Sequence, residues 1–227
     1  ARPRQKVERS MSSRQKYKAL IPVTPQERLV RGVYGRIDAA ADRELGRLRR
    51  EEGVVSSCKR GCANCCGQYI QTNPAEAHAL GQYIKRTFSV RQVDGLQRRT
   101  RQWLAWDGAR RKADDPADRS AGPELLGYEP CCPMLVDRAC SAYPVRPAIC
   151  RTHYVSSDPA DCRPSHDLRP VEHVPVVLAS ILNATRPLAQ PLRAVSKSAG
   201  DDFSRSIMLL PHWLTIEMGW EFGTEFL

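Results

Sequence analysis

Four cysteines stand within nine residues of this chain, in the stretch Cys58-Lys-Arg-Gly-Cys62-Ala-Asn-Cys65-Cys66. Five more follow at positions 131, 132, 140, 150 and 162. Apolar packing does not need so many thiols so close together, whereas a soft metal ion, an iron–sulfur cluster or a set of disulfides does. We call residues 58–66 the knuckle. It constrains the fold because the chain must turn tightly there to bring its thiols onto one site.

Length and cysteine number argue against a disulfide framework. The chain has 227 residues and 41% hydrophobic content, which is enough for a buried core without covalent cross-links. Disulfide-dense proteins are mostly small secreted domains, and an odd count of nine would leave one cysteine unpaired. The thiols therefore favour an intracellular reducing compartment, either the cytoplasm or an organelle matrix or stroma.

The spacers within the knuckle are short enough for Cys58, Cys62 and Cys65 to bind one metal ion. Neighbouring side chains in extended or turn backbone diverge, so Cys65 and Cys66 are expected to serve different metals or opposite sides of one polynuclear site. Seven thiols suit two tetrahedral ions that share a thiolate, and a 4Fe–4S cluster would use four of the seven, so zinc and iron both stay open. The predicted metal ligands are Cys58, Cys62, Cys65, Cys66, Cys132, Cys140 and Cys150.

Other polar residues near these cysteines are weaker candidates. Cys131 and Cys162 are left out of the ligand set, as substitute ligands or buried thiols. His153 follows Cys150 by three residues, but a single histidine is more often structural, and no histidine is predicted as a ligand. Arg146 and Arg151 flank Cys150, where they either offset the charge of a thiolate-rich centre or are ordinary surface residues.

The rest of the chain predicts helices. Thr24-Pro25-Gln26-Glu27 and Asn73-Pro74-Ala75-Glu76 are helix starts, and Ser89 can cap another helix. Apolar periodicity predicts a long amphipathic helix over 25–52, stopped by Gly53, and further helical stripes over 77–88, 93–106 and 174–182. Trp103 and Trp106 are assigned to packing.

The segment after the knuckle, 68–71, is read as a strand or a simple exit from the turn. Loop-forming residues dominate 113–128, three prolines interrupt the second cysteine segment, and an apolar segment closes the chain at 207–222. We therefore predict a mainly α fold, with helices around an irregular cysteine-rich metal-binding core. The predicted divisions are a basic arm (1–23), the amphipathic helix (24–53), a cysteine-cluster domain (54–155) and a helical extension (156–227).

Charge suggests an acidic partner. The net charge is +10, and seven of the basic residues lie within residues 1–18 against one acidic residue. This pattern is typical of a solvated arm that docks into a larger protein or ribonucleoprotein assembly. No stretch of about twenty apolar residues predicts a transmembrane helix, and no small-molecule site is evident.

The cysteine spacing resembles the YkgJ-type cysteine-cluster family, described as zinc- or iron-chelating domains. The resemblance covers about residues 56–155. It is carried by the knuckle, Cys132-Pro133, Cys140 with Tyr143, and Arg146-Pro147 with Cys150-Arg151. The family pattern has one cysteine before the proline, so Cys131 is a departure. The resemblance implies metal binding.

Two functions from different classes follow. The leading hypothesis is a non-catalytic metal-binding protein, structural or associated with an assembly, whose metal ties 58–66 to 132–150. The alternative is an iron–sulfur enzyme or redox protein, because the flagellin lysine methylases carry a similar cluster and the knuckle also fits the three-cysteine signature of radical S-adenosylmethionine enzymes. A basic nucleic-acid-binding subunit rests on charge alone. The chain shows no glycine-rich phosphate loop and no nucleophile elbow.

Overall fold

A computed structural model describes residues 21–59, 61–114, 130–162, 174–198 and 207–222, without the side chains of 112–114 and 195–198. Within these residues the fold is mainly helical, as the sequence predicts. The α-helices are α1 (Pro25–Arg47), α2 (Pro74–Thr87), α3 (Val90–Asp114), α4 (Ala148–Thr152), α5 (Ala179–Thr185), α6 (Gln190–Ser198) and α7 (Leu210–Met218). Short 3-10 turns cover Asn64–Gly67, Tyr143–Val145, Pro159–Cys162 and Arg186–Ala189.

Helix α1 begins and ends where local signals place it. The Thr24 side chain accepts the backbone N–H of Glu27 at 3.1 Å, and a proline occupies the first turn. The helix continues as a π-helical turn, Leu48–Glu52, and stops at Gly53, whose φ of 68° lies in the left-handed region. The predicted helix over 25–52 is therefore confirmed, with a wider last turn than its periodicity indicates.

Two more helix starts are also confirmed. The Asn73 side chain accepts the N–H of Glu76 and begins α2. Ser89 and Gln92 cap each other's backbone at the start of α3. Helix α3 extends through Asp114, which is further than the predicted loop over 113–128 allows, and the remainder of that loop lies outside the described residues.

The main hydrophobic core lies between α1 and α2. The apolar stripe of α1 faces that of α2, and residues from the second cysteine segment, α6 and α7 complete the cluster. Trp103 and Trp106 are 5% and 2% exposed and pack with Leu104 in a separate small cluster, so their predicted packing role is confirmed. A third cluster joins Ala41 of α1 and Leu48 of the following π-helical turn to Leu178 and Ile181. Both sides of α1 are thus occupied, which fixes it beside the cysteine segments.

The strands are short, and their pairing is not apparent from the sequence. Strand β1 (Gln71–Thr72) pairs antiparallel with β4 (Met208–Leu209), so the exit from the knuckle ends in a strand. Strands β2 (Leu135–Val136) and β3 (Ala139–Cys140) form a hairpin whose turn residues, Asp137 and Arg138, both have positive φ. The prediction of turns and short pieces for the second cysteine segment is confirmed.

The carboxyl-terminal part differs in detail from its predicted helices. Helix α5 begins at Ala179 instead of near Val174, because Val177 forms an antiparallel bridge with Val155 and holds the preceding residues extended. The apolar segment 207–222 divides into β4 and α7. Among the described residues, no helix has the length and apolar character needed to cross a membrane. Residues 1–20 of the predicted basic arm lie outside the described part, and the predicted domain divisions stay predictions.

Candidate metal centre

The backbone of the knuckle is a pair of tight turns. The N–H of Cys62 bonds to the carbonyl of Lys59 at 3.0 Å, and Gly61 takes a φ of 87° that side-chain-bearing residues rarely adopt. The 3-10 turn Asn64–Gly67 follows, with the N–H of Cys66 bonded to the carbonyl of Ala63. These turns hold four cysteines within a short length of chain.

A direct backbone contact joins the knuckle to the second cysteine segment. The N–H of Cys132 donates to the carbonyl of Cys66 at 2.6 Å. The β2–β3 hairpin then brings Cys140 back toward Cys132, and α4 begins with a turn in which the N–H of Cys150 bonds to the carbonyl of Pro147. The structure therefore brings the predicted 132–150 ligands to the knuckle.

Five thiols lie close enough for their charges to act on one another, and we call them the inner cluster: Cys65, Cys66, Cys132, Cys140 and Cys150. Burial and the neighbouring thiols raise the pKa of Cys132 to about 12. Burial also raises the pKa of Cys150 well above its ordinary value, with further contributions from Cys132, Cys65 and Cys140. Burial is the larger cause in both cases, and the charge of each thiol further disfavours ionisation of its neighbours.

The adjacent pair Cys65-Cys66 behaves differently from the prediction. Its side chains meet, because the 3-10 turn places neighbouring residues closer than an extended chain would. A hydrogen bond from the Cys66 thiol lowers the pKa of Cys65 to about 7, and the same bond raises that of Cys66. Cys65 is thus the sulfur of the inner cluster that most readily becomes a thiolate.

The other two predicted ligands belong to a second group. Burial raises the pKa of Cys162 to about 11, and the charges of Cys65, Cys58 and Cys62 add to this effect, so these three knuckle thiols lie within electrostatic range of Cys162. The Cys162 Sγ also lies 3.9 Å from His153 Nε2. We call Cys58, Cys62, Cys162 and His153 the outer cluster.

Sequence reasoning excluded both Cys162 and His153 from the metal ligands. Their spacing to the knuckle carries no local signal, because the chain must pass through about a hundred residues before it returns to Cys58. Cys131, the other excluded cysteine, is exposed. Its charge also raises the pKa of Cys132, so Cys131 lies next to the inner cluster, and its exclusion from the ligands stays a prediction.

The remaining histidines lie elsewhere or outside the described part. His78 faces Glu217 at 3.5 Å, and His212 faces Asp107 at 3.4 Å. His166 and His173 fall outside the described residues. Of the histidines that the structure describes, His153 is thus the one beside a thiol, and burial lowers its pKa, which favours the neutral imidazole.

Two arginines place positive charge beside the inner cluster. Arg146 and Arg151 both lower the pKa of the Cys140 thiol against the larger effect of burial, and Arg146 also lowers that of Cys65. Arg151 is 2% exposed and donates to the carbonyls of Arg146 and Pro144. The predicted charge role of these arginines stays a prediction, and the hydrogen bonds of Arg151 go to backbone carbonyls and to the Asp38 carboxylate on α1.

A buried carboxylate anchors the helix that carries Cys150. Glu76 Oε1 accepts the backbone N–H of Ala148 at 2.7 Å and the Tyr34 hydroxyl at 3.0 Å. Its Oε2 accepts the Thr72 hydroxyl at 3.1 Å and the Asn73 side-chain amide at 2.6 Å. Burial nevertheless raises the pKa of Glu76. The sequence identifies Glu76 only as part of a helix start, so this second role was missed.

The side chains of the two clusters are further apart than the ligands of a bound metal ion. Within the described residues, no three His, Cys, Asp or Glu side chains already have the spacing of a metal's ligand shell. No family model, curated protein or solved structure matches the chain.

Proposed function

We propose that the protein binds zinc, iron or an iron–sulfur cluster through cysteine thiolates, and that the bound metal ties the knuckle to residues 132–150 as a structural element. The observation that carries this proposal is the gathering of five thiols around the hydrogen bond between Cys66 and Cys132. The knuckle and residues 132–150 are distant in sequence but already in contact at this point, so a metal bound there would join them.

The donor set decides the class of metal. Thiolates are soft ligands that select zinc, copper(I) or iron–sulfur clusters over magnesium or calcium. The nearby carboxylate of Glu76 already accepts hydrogen bonds at both oxygens, two of them from Ala148 and Asn73, so it is occupied as an anchor. Sulfur is therefore the donor that the site offers in excess.

Metal binding would act on folding directly. Each thiol must lose its proton, and the raised pKa values of Cys132 and Cys150 make this costly without a cation. A bound cation offsets that cost, draws the thiolates together by side-chain rotation and cross-links two segments of the chain. Removal of the metal should consequently lower the melting temperature of the domain.

A pair of adjacent variants tests the proposal. Cys132→Ser removes a half-buried thiol of the inner cluster, whereas Cys131→Ser removes an exposed one next to it. Metal analysis and thermal melting of anaerobically purified protein should show lost metal and lower stability for Cys132→Ser alone. Unchanged metal content and melting in Cys132→Ser, or equal losses in both variants, would contradict the proposal.

The same preparation separates the structural hypothesis from the alternative. A colourless protein with zinc supports a structural centre. A brown protein with iron and acid-labile sulfide supports the iron–sulfur alternative, in which the cluster handles electrons or a methyl-group donor. The proposed docking into a larger protein or ribonucleoprotein assembly depends on the basic arm, and it predicts binding that weakens steeply with added salt.

A further inference from the structure

The turn that carries Cys162 is held against the knuckle by two side-chain hydrogen bonds. Asn64 Nδ2 donates to the carbonyl of Pro159 at 2.7 Å, and Gln68 Nε2 donates to the carbonyl of Cys162 at 3.2 Å. Asn64 and Gln68 lie on either side of the Cys65-Cys66 pair. The knuckle and Gln68, which follows it, thus contact the segment Pro159–Cys162. This contact is additional to the one between the knuckle and residues 132–150.

The chain before this turn is fixed to the first residues of the knuckle. The N–H of Ser57 donates to the carbonyl of Val155 at 2.9 Å, and the Ser57 hydroxyl donates to the carbonyl of Ser157 at 2.6 Å. The N–H of Val155 in turn points at Cys58 Sγ, 3.4 Å away. These contacts place residues 155–157 alongside Ser57 and Cys58, two residues beyond His153.

The distances suit two ligands of one ion. With zinc–sulfur and zinc–nitrogen bonds of about 2.3 and 2.0–2.1 Å in a tetrahedron, a sulfur and a nitrogen ligand lie about 3.6 Å apart. The observed separation of 3.9 Å between Cys162 Sγ and His153 Nε2 is close to that value. Cys162 is 3% exposed, so its thiol is directed into the protein and not into solvent.

We propose that Cys58, Cys62, Cys162 and His153 bind a zinc ion of their own, separate from the metal of the inner cluster. This inference rests on the proposed function and divides its site in two. Three thiolates and one imidazole are a closed tetrahedral set of the kind found in structural zinc sites. The inner cluster keeps five thiols for its own metal, with Cys65 next to both centres.

The test compares variants of the full chain by metal content. Cys162→Ser and His153→Ala should each lower zinc by about one ion per chain and leave the metal of the inner cluster in place. His153→Cys restores a fourth ligand and should keep the ion. Cys131→Ser, which alters an exposed thiol, is the matched control for loss of a cysteine.

Cobalt substitution supplies a readout of ligand identity that does not rest on metal content or melting temperature. In cobalt-loaded protein, His153→Cys should shift the visible cobalt bands because a sulfur replaces a nitrogen ligand, while the number of bound ions stays the same. An unshifted spectrum would overturn the assignment of His153. A Cys162→Ser variant that keeps all its metal, or loses all of it, would overturn the separate site while leaving metal binding intact. A wild-type protein without metal would instead remove the proposed function itself.

Discussion

Replacing Glu76 by glutamine tests how the helix that carries Cys150 is held. Glutamine has the shape of glutamate, but one of its two terminal atoms is an NH2 donor. In one orientation this NH2 group faces the N–H of Ala148, and in the other it faces the side-chain amide of Asn73. The backbone N–H of Ala148 can only donate, and the Asn73 amide could accept only by turning its oxygen away from the N–H of Glu76.

The size of the effect follows from these contacts. Loss of a hydrogen bond to a charged group costs about 1.5–3 kcal/mol, and a buried donor left facing another donor adds about 1–3 kcal/mol. Part of this lost free energy is recovered. Burial raises the pKa of Glu76, and the neutral amide of glutamine avoids the cost of burying a charge. We expect a net loss of about 2 kcal/mol, which corresponds to a melting temperature about 4–8 °C lower for a chain of this size.

Chemical denaturation and thermal melting of the metal-loaded protein measure this change. Glu51→Gln is the matched control, because the Glu51 side chain is 60% exposed and bonds to Arg47 at 3.3 Å. Its melting curve should overlay that of the wild type. Wild-type stability in Glu76→Gln, or an equal drop in Glu51→Gln, would refute the role of Glu76 as an anchor.

Three further variants probe other parts of the fold. Burial raises the pKa of Asp107, but hydrogen bonds from His212 and Arg111 outweigh it and lower the pKa overall. Asp107→Asn should therefore cost about 1–3 kcal/mol at neutral pH, and the difference from wild type should disappear as pH falls through this lowered pKa. Gly81→Ala should cost about 1–3 kcal/mol, because its Cβ would lie 2.8 Å from the Cβ of Glu217. Arg151→Lys should cost about 2–4 kcal/mol, because lysine keeps the charge but cannot make all three hydrogen bonds.

Each of these variants has an informative comparison. A stability difference for Asp107→Asn that persists at low pH would contradict the ionic explanation. Gly35→Ala controls for helix propensity, since its Cβ meets nothing within 4 Å, and it should raise stability by about 0.5–1 kcal/mol. Wild-type melting of Arg151→Lys would show that its charge, and not its hydrogen bonds, stabilises the fold.

Features set by neighbouring residues were predictable from the sequence. Thr24, Asn73 and Ser89 each accept a backbone N–H three residues later, so the helix starts can be read without knowledge of the fold. The stripe of buried residues along α1 is equally local, because helical periodicity alone defines it. The gathering of residues 132–150 at the knuckle was expected from their shared chemistry.

Features that depend on distant pairing were not predictable. Strand β1 takes β4 as its partner from the far end of the chain, and neither two-residue segment has a pattern that marks it. The same holds for Cys162 and His153, because hydrogen bonds between Ser57 and residues about a hundred positions later bring their segment to the knuckle. The capping pattern already accounts for Glu76, and no local sequence pattern signals its additional contact with Ala148.

The distance along the chain between the knuckle and Cys162 also sets the interval between their synthesis. Protein synthesis adds about 5–20 residues per second, so Cys162 follows Cys66 by about 5–20 seconds. During that interval the thiols of the knuckle belong to an unfinished chain and are open to oxidation. Any site that includes Cys162 is therefore completed late in synthesis, after the knuckle has already been made.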